Sequence, residues 1–441
     1  MSNKLWGARF KKKTDKDFEE FSKSIEYDYK LAEYDILHSL IHVEALAEEK
    51  IITKKEKERF ILALENILLS AKRGKFKFDI TSEDIHTDIQ NKVEKKVGKL
   101  AYKFHTFRSR NEQIAFDEKF YCVEEATAIS FLIESILDSL SYLSYKYKNK
   151  FFPGYTHTQR AQVVNFSDYL GAYSAMFKRD REKLKHFIKN TILYVKSGAL
   201  AGSFIKRSSY IKAIKKVVVK YRIKNVNIQV VSNPLDNVAS RDFIVELLSI
   251  LSLIQMHLSR MAEDFILYST REFSFFSLPE EFCTGSSLMP HKKNPDFLEL
   301  VRGYTGKIYG NMVSLLVTMK GLPLTYNRDM QLDKEPIFSS VKIIKDELKI
   351  MAKLIRGIKL NLSTTEKVLG DDSFYATELA RFLVYKGVPF KEAHNIVGRM
   401  LKYCEDKMVS LKDMSENVLK GFHTSLTPAV IKEIITAKSY R

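Results

Sequence analysis

The chain has 441 residues, 45% of them hydrophobic, with only 17 Gly and 9 Pro, which sets aside disordered and all-β classes in favour of a helix-rich globular protein. Its formal charge of +18 is spread along the chain in lysine pairs such as Lys54-Lys55 and Lys215-Lys216 with carboxylates between them, so a solvated basic surface and an anionic small-molecule substrate are expected, and no nucleic-acid partner. Cys122, Cys283 and Cys404 are too few and too scattered for a disulfide framework or a zinc site; the N-terminus has no apolar signal core, and the most apolar run, Phe243 to Ile254, carries Glu246 and is too short to span a bilayer, so no membrane association and a cytoplasmic location are expected.

Taken in order, a helical pattern runs from Tyr29 to about Lys50, with Leu31, Ile36, Leu40, Ile41 and Leu46 on one face. Thr53 with Glu56 three residues on predicts a capping box for a second helix through Ala71, ended by Arg73-Gly74-Lys75. Ser82-Glu83-Asp84-Ile85-His86 opens another amphipathic segment. Long apolar-periodic segments follow at about 109–148, 165–195, 236–270, 295–320 and 335–358, broken at Pro153-Gly154, Ser197-Gly198, Asn233-Pro234, Leu278-Pro279 and Gly321-Leu322-Pro323. Helices of that length with short joins predict a long up-and-down bundle. Several are apolar on more than one face, as in Phe243 to Leu248, which predicts burial against other chains. Val226 to Val231 reads equally as short extended structure or as a loop. Ser363-Thr364-Thr365-Glu366 reopens a smaller helical region. The expectation is an all-α protein with an N-terminal helical domain over 1–108, a central long-helix bundle over 109–358 and a small C-terminal helical domain over 359–441.

Five polar segments interrupt this pattern. The longest is Thr284-Gly285-Ser286-Ser287-Leu288-Met289-Pro290-His291-Lys292-Lys293-Asn294-Pro295-Asp296, a Gly/Ser-rich stretch running into two lysines. Asn294 suits an N-cap, Pro295 a first helical position, and Asp296 and Glu299 a first turn, where the helix dipole favours carboxylates. The segment therefore reads as a mobile loop that brings serines and lysines to the mouth of a helix. Arg108-Ser109-Arg110-Asn111 groups carboxylate-matching guanidiniums at another helix start. Thr156-His157 follows a Pro-Gly turn. Lys320 to Gln331 is a donor-rich loop closing on Asp333-Lys334-Glu335-Pro336, and Glu83-Asp84-Ile85-His86 sets a histidine beside carboxylates. Taken singly, each has a bland reading as a surface helix start, a cap or a solvated histidine.

Together they carry a resemblance. The string Gly285-Ser286-Ser287…Met289-Pro290…Lys292…Asn294-Pro295 resembles the signature of the fumarase/aspartase superfamily. Residues 107–111, 154–159, 285–299 and 321–336 resemble the argininosuccinate lyase family in order and spacing, with Trp6-Gly7, the Ser-Gly-Ala-Leu-Ala-Gly of 197–202 and Arg241-Asp242 in support. The resemblance implies an all-α homotetramer whose active sites are each built by three chains. It also implies cleavage of argininosuccinate to arginine and fumarate, the last step of arginine biosynthesis, with no metal and no organic cofactor. In that reaction a proton leaves the carbon beside a carboxylate, an aci-carboxylate carbanion forms, and the C–N bond breaks.

The matched positions assign Ser286 as the base, Lys292 and Asn294 as stabilisers of the carbanion, and Thr156 with His157 as donor to the departing guanidinium, His157 being oriented by Glu299 across a subunit boundary. Arg108, Ser109, Arg110 and Asn111 match contacts to substrate carboxylates; Ser287, Tyr326, Gln331, Lys334, Ser24 and His86 match further substrate contacts. The chain departs from the family wording at Phe107, Glu112, Phe116, Gln90, Leu332 and Ala239-Ser240, and His291 is more reminiscent of adenylosuccinate lyase. None of these removes an assigned base, acid or lysine. Phe107 and Glu112 adjoin the carboxylate clamp, so a sister lyase cleaving another N-succinyl compound stands as the alternative.

Overall fold

The computed structural model describes residues 12–436; Trp6-Gly7 lies outside the described residues. Long helices dominate, as the periodicity predicts: Arg110–Lys146, Phe166–Asn190, Asp242–Ser269, Asp296–Met319 and Lys334–Gly357. The segment expected over 165–195 ends earlier, because Ile192–Val195 is a strand, and that expected over 236–270 is broken where extended Ser240 ends the short helix Pro234–Ala239. The chain divides into two compact units, one from residues up to 131 with 180–255 and 304–346, the other from 132–179, 256–303 and 347 onward. Each long helix gives a stretch to both units.

In the first unit the helix Ala32–Glu48 is the hub, packing on Lys54–Lys72, Ile85–Val97 and Arg207–Tyr221. Its Ile36, Leu40, Ile41 and Leu46 are fully buried or nearly so, which is the face that the sequence spacing marks. The predicted capping box is present: Thr53 Oγ1 accepts from Glu56 N, and Glu56 Oε2 accepts from Thr53 N. Asp84 caps Ile85–Val97 through Thr87 N at 2.8 Å, fixing where that helix starts. The ambiguous stretch at 226–231 is extended: Asn227–Val230 pairs in parallel with Ile192–Val195, and Arg207–Tyr221 makes the crossover between them.

Between that first strand and the crossover helix, the chain turns back on itself at 196–203. Gly202 N donates to the Ser197 carbonyl at 2.9 Å and Ser203 N to the Lys196 carbonyl at 3.0 Å. Gly198 sits at φ +57°, and a Cβ there would lie 2.7 Å from the Gly202 carbonyl oxygen, so the turn needs glycine on two counts.

In the second unit the hairpin Phe151–Thr156 with Gln159–Asn165 precedes the helix Phe166–Asn190. Its aromatic root packs Phe152 against Phe166, Tyr169, Tyr268, Phe275 and Phe276, with ring centroids 5.1–5.6 Å apart. Pairing Thr156 with Gln159 leaves a two-residue turn, His157-Thr158, with both residues at positive φ (53° and 59°). Asn and Gly usually fill such turns; a His and a β-branched Thr are strained there. The C-terminal helices Ala376–Tyr385 and Phe390–Lys407 close a small core of their own around Leu379, Leu383, Ile396, Met400 and Leu426.

The helix Asp242–Ser269 extends well beyond the apolar run seen in the sequence and is long and apolar enough to cross a membrane, but 61% of its most apolar window is buried inside the chain, as befits a core helix.

Two glycine substitutions separate backbone need from helix propensity. Gly198→Ala combines left-handed strain with a backbone clash and is expected to cost about 2 kcal/mol or more. Gly398→Ala lies within Phe390–Lys407 with open space around the new methyl, and is expected to gain up to about 1 kcal/mol. Urea denaturation of both variants checks the pair.

Candidate active site

The first unit holds a cavity of about 90 Å³ lined by Ser24, Asp28, Asp84, His86, Arg110, Asn111, Ile114, Tyr326, Arg328, Gln331 and Lys334. Seven of the residues singled out in the sequence thus share one wall-to-wall space, although they come from four separate stretches of chain. The caps explain how they get there. Asp84 starts one helix and places His86 in its first turn, while Ser109 Oγ accepts from Asn111 N at 3.2 Å and starts the other, placing Arg110 and Asn111 in its first turn. The loop before Lys334 is tied down by Gln331 Nε2 and Arg328 Nη2, which donate to the Ser22 carbonyl at 3.2 and 2.8 Å.

Charge in the cavity is of both signs. Arg110 Nη1 lies 2.9 Å from Asp84 Oδ2, and burial, which would raise the Asp84 pKa, is outweighed by Arg110 and His86, so Asp84 stays ionised. Lys334 is buried, yet Asp333 and Glu118 beside it hold its pKa above the usual lysine value. Asp28 accepts from Ser24 Oγ at 2.6 Å and from Ile85 N at 3.1 Å, but burial wins and pushes its pKa up to about 6. His86 Nδ1 stands 3.4 Å from Asp35 Oδ1 and 3.6 Å from Asp117 Oδ2; burial opposes its protonation, and Asp35 with the other carboxylates raises its pKa regardless.

The structure places other residues elsewhere than the sequence reading does. Arg108, expected among the substrate's carboxylate contacts, turns into the core instead. Its side chain is fully buried, Nη1 donates to Ser39 Oγ at 2.8 Å, and Nη2 lies 3.6 Å from Asp35. Asp35, Ser39 and Asp117 were not assigned a role from the sequence; the i, i+4 spacing of Asp35 and Ser39 on the helix Ala32–Glu48 was the available signal for the first two. Asp35, His86 and Asp117 offer ligand atoms within 4.8 Å of one another, but Arg108 already supplies positive charge there and the raised pKa of His86 favours its cationic form, so the group fits an ionic cluster better than a cation site.

Glu112, the departure beside the clamp, does not face the cavity at all. Its Oε1 and Oε2 accept from the backbone of Lys196 and Gly198 at 2.9 and 2.6 Å, and His38 Nε2 stands 3.3 Å from Oε1. It therefore clamps the 196–203 turn from behind, and Asn111 Nδ2 meets the same turn at the Ala199 carbonyl, 3.3 Å away. Phe107 is half-exposed and meets Phe204 edge-on at 5.3 Å, Leu332 is exposed, and so is His291.

The second unit carries the remaining candidates. Thr156 and His157 occupy the strained tip of the hairpin. Ser286 and Ser287 lie on an exposed loop pinched at its base by Thr284-Gly285 pairing with Lys293-Asn294. Ser286 Oγ accepts from Leu288 N and Met289 N at 3.3 and 3.1 Å, which keeps its lone pairs occupied, while Lys292 is exposed and Asn294 Nδ2 reaches the Gly285 carbonyl at 3.5 Å. Thr284 Oγ1 donates to Asp296 Oδ2 at 2.6 Å, joining the loop to the helix Asp296–Met319. Glu299, in that helix's first turn, is more than half exposed and stands 4.0 Å from Arg302.

Asp28 gives the site a pH signature. It ionises near 3.8 in an unfolded chain and about 6 in the folded one, so its charge opposes folding, a penalty absent below pH 4, growing through pH 4–6 and complete above. Asp28→Asn is therefore expected to stabilise the ligand-free protein at pH 7.5 by an amount on the order of 3 kcal/mol and to leave stability unchanged at the acid end of the range, read as denaturation midpoints across a pH series.

Comparison with known proteins gives this geometry its place. The family described as Lyase matches residues 8–310, and that described as Argininosuccinate lyase C-terminal matches residues 374–440. The argininosuccinate lyase of Geotalea daltonii is 41% identical over 435 residues, 98% of this chain and 93% of that protein. That of Clostridium kluyveri is 42% identical across 95% of this chain and 94% of its own. Among solved structures, the class II fumarase of Schistosoma mansoni superposes with a TM-score of 0.79 over 96% of this chain and 94% of that one at 16% identity, which confirms the all-α fold. With the lyase and C-terminal regions both matched and two-fifths of the residues shared over nearly its whole length, the chain belongs to the argininosuccinate lyase family of the fumarase/aspartase superfamily.

Proposed function

We propose that the protein cleaves argininosuccinate to arginine and fumarate by β-elimination, placing it at the end of arginine biosynthesis. The observation that carries this reading is the near-full-length identity to argininosuccinate lyases, together with the geometry of the departures. Glu112 faces the 196–203 turn and Leu332 faces solvent, so neither reshapes the cavity toward another N-succinyl compound.

In this reading Ser286 Oγ takes the proton from the carbon beside a carboxylate, and Lys292 and Asn294 hold the doubly charged aci-carboxylate. Thr156 and His157 deliver a proton to the leaving guanidinium. A serine whose oxygen accepts from two backbone N–H groups on an exposed loop is a poor base as it stands. Closure of the loop over substrate, with water excluded, is what makes it competent. Ser24, His86, Arg110, Asn111, Tyr326, Gln331 and Lys334 receive the charged end of the substrate, since a cavity of about 90 Å³ has room for a head group and not for the whole molecule. The rest of the substrate needs other walls, which supports active sites shared between chains of a homotetramer.

The helix Asp296–Met319 offers an interface for that assembly. Gly306, Tyr309, Gly310, Val313, Leu316 and Val317 fall on one exposed face, and no atom lies within 4 Å of where a Cβ would stand on either glycine, so a second helix can approach closely. Three unpaired cysteines, two of them buried, suit a cytoplasmic setting.

The direct test is ultraviolet absorbance of fumarate on mixing protein with argininosuccinate, alongside a panel of other N-succinyl amines. Release from argininosuccinate at the highest kcat/KM is expected; a better rate on another member of the panel overturns the reading. Ser286→Ala is expected to lower kcat by about a thousandfold or more while shifting stability by no more than about 1 kcal/mol. Val313→Asp is expected to turn a tetramer into smaller species in light scattering and to abolish turnover with it; an intact, active tetramer would remove this helix face from the interface.

A further inference from the structure

Beneath the cavity floor lies a second group of buried charges, of which the proposed mechanism uses only Lys334. Lys334 Nζ stands 2.5 Å from Glu118 Oε1 and donates to Asp333 Oδ1 at 2.9 Å. Arg241 Nε donates to Asp333 Oδ2 at 2.5 Å and stands 3.0 Å from Glu118 Oε2. None of the four is more than 2% exposed. The quartet sets two cations against two carboxyl groups, each of which bridges both cations; burial and the neighbouring Asp333 push the Glu118 pKa up to about 7, with Lys334 and Arg241 pulling against them.

The geometry joins this quartet to the cavity at one atom. Lys334 lines the cavity, whereas Glu118, Asp333 and Arg241 do not. An ammonium group has three N–H donors, and the two carboxylates account for two, leaving one for an anion in the cavity. Glu118 lies one helical turn beyond Ile114, itself on the cavity wall, so its carboxylate sits behind the wall that Asn111 and Ile114 make. Lysine is a long, flexible point charge, and without a second carboxylate its four-carbon stem has no single preferred position. Asp333 alone, its immediate neighbour in sequence, restrains Nζ from one side only.

We propose that Glu118, held by Arg241, is a positioning residue that fixes the Lys334 ammonium at the cavity floor to receive a carboxylate of the substrate. Glu118 does not touch substrate. It acts through Lys334, and the group recognised is the carboxylate of an amino-acid end. The inference rests on the lyase reading above for the identity of that substrate, and on the structure alone for the link between Glu118 and Lys334.

A double-mutant cycle tests it, with Glu118→Gln, Lys334→Met and the combination, each assayed for KM and kcat on argininosuccinate and for thermal unfolding. Glu118→Gln is expected to raise KM by about tenfold or more and change kcat by no more than about threefold, because an interaction made equally in the ground and transition states is lost. In the Lys334→Met background the same substitution is expected to leave KM where Lys334→Met put it. Glu118→Asp keeps the charge but withdraws it by one methylene, and is expected to give an intermediate KM. Should Glu118→Gln fail to fold, Glu118→Asp decides. A wild-type KM in the folded glutamine variant, or in Glu118→Asp where that alone folds, overturns the proposal. So does an equal rise in KM with and without Lys334, whatever the unfolding temperature does. Wild-type protein silent on argininosuccinate overturns the functional reading instead, and the cycle is then run on the best N-succinyl amine of the panel, which presents the same carboxylate chemistry.

Discussion

Charge balance around the first turns of the helix Arg110–Lys146 is the constraint on which the rest of the first unit depends. Burying an unpaired carboxylate or guanidinium costs several kcal/mol, and here Arg108, Glu112 and Glu118 are all buried within eleven residues of sequence, while burial and the nearby Asp35 push the Asp117 carboxyl well above the usual carboxylate range, toward its neutral form. The chain meets that cost by distributing partners. Arg108 meets Asp35, Glu112 takes two backbone N–H groups and a histidine, and Glu118 shares Arg241 and Lys334 with Asp333. Each solution pins a different element: the helix Ala32–Glu48, the 196–203 turn and the start of Lys334–Gly357. Lys334 and the first turns of the helix Arg110–Lys146 line the cavity, so ion pairs behind its walls help to hold its shape alongside apolar packing.

The second unit follows the opposite logic. The serine loop and the histidine-bearing turn are exposed, and the turn is strained, with a histidine and a threonine where glycine or asparagine would be at ease. What is rigid is their footing. The hairpin is anchored by the packed rings around Phe152, and the loop by its two-residue ladder and the Thr284–Asp296 bond. A reaction that must first admit a large anion and then exclude water needs groups that can move on bases that cannot.

How much of this was legible in the sequence depended on the range of the interaction. Helices and caps are local, and Thr53 with Glu56 gave one helix start to the residue, while the long apolar periods placed Arg110–Lys146, Asp296–Met319 and Lys334–Gly357 within a residue or two. The strand Asn227–Val230 was not decided and its partner Ile192–Val195 was read as the end of a helical segment, because the two lie on either side of an intervening helix and alternation over four residues does not separate strand from helix or loop. Polar residues in odd places pointed to the cavity, and the family resemblance added Ser24: Ser24, His86, Asn111 and Tyr326 do share a space. Direction is what a motif cannot give. Arg108 and Arg110 are two residues apart on either side of a helix start, so they point to different sides, and only the latter faces the cavity.

The same argument bears on specificity. A departure from family wording beside a binding motif suggests a changed pocket only if the side chain faces the pocket. Glu112 follows Asn111 by one residue, which on a helix is a rotation of about 100°. That rotation carries it from the cavity to the 196–203 turn, where a carboxylate is needed for its two acceptor oxygens and not for its charge toward a ligand. Glu118, six further on, returns to a position behind the wall and meets the one cation that looks both ways. On the proposed reading, substrate selectivity is set by the few side chains that touch the cavity, and the residues that hold them in place are buried one layer out.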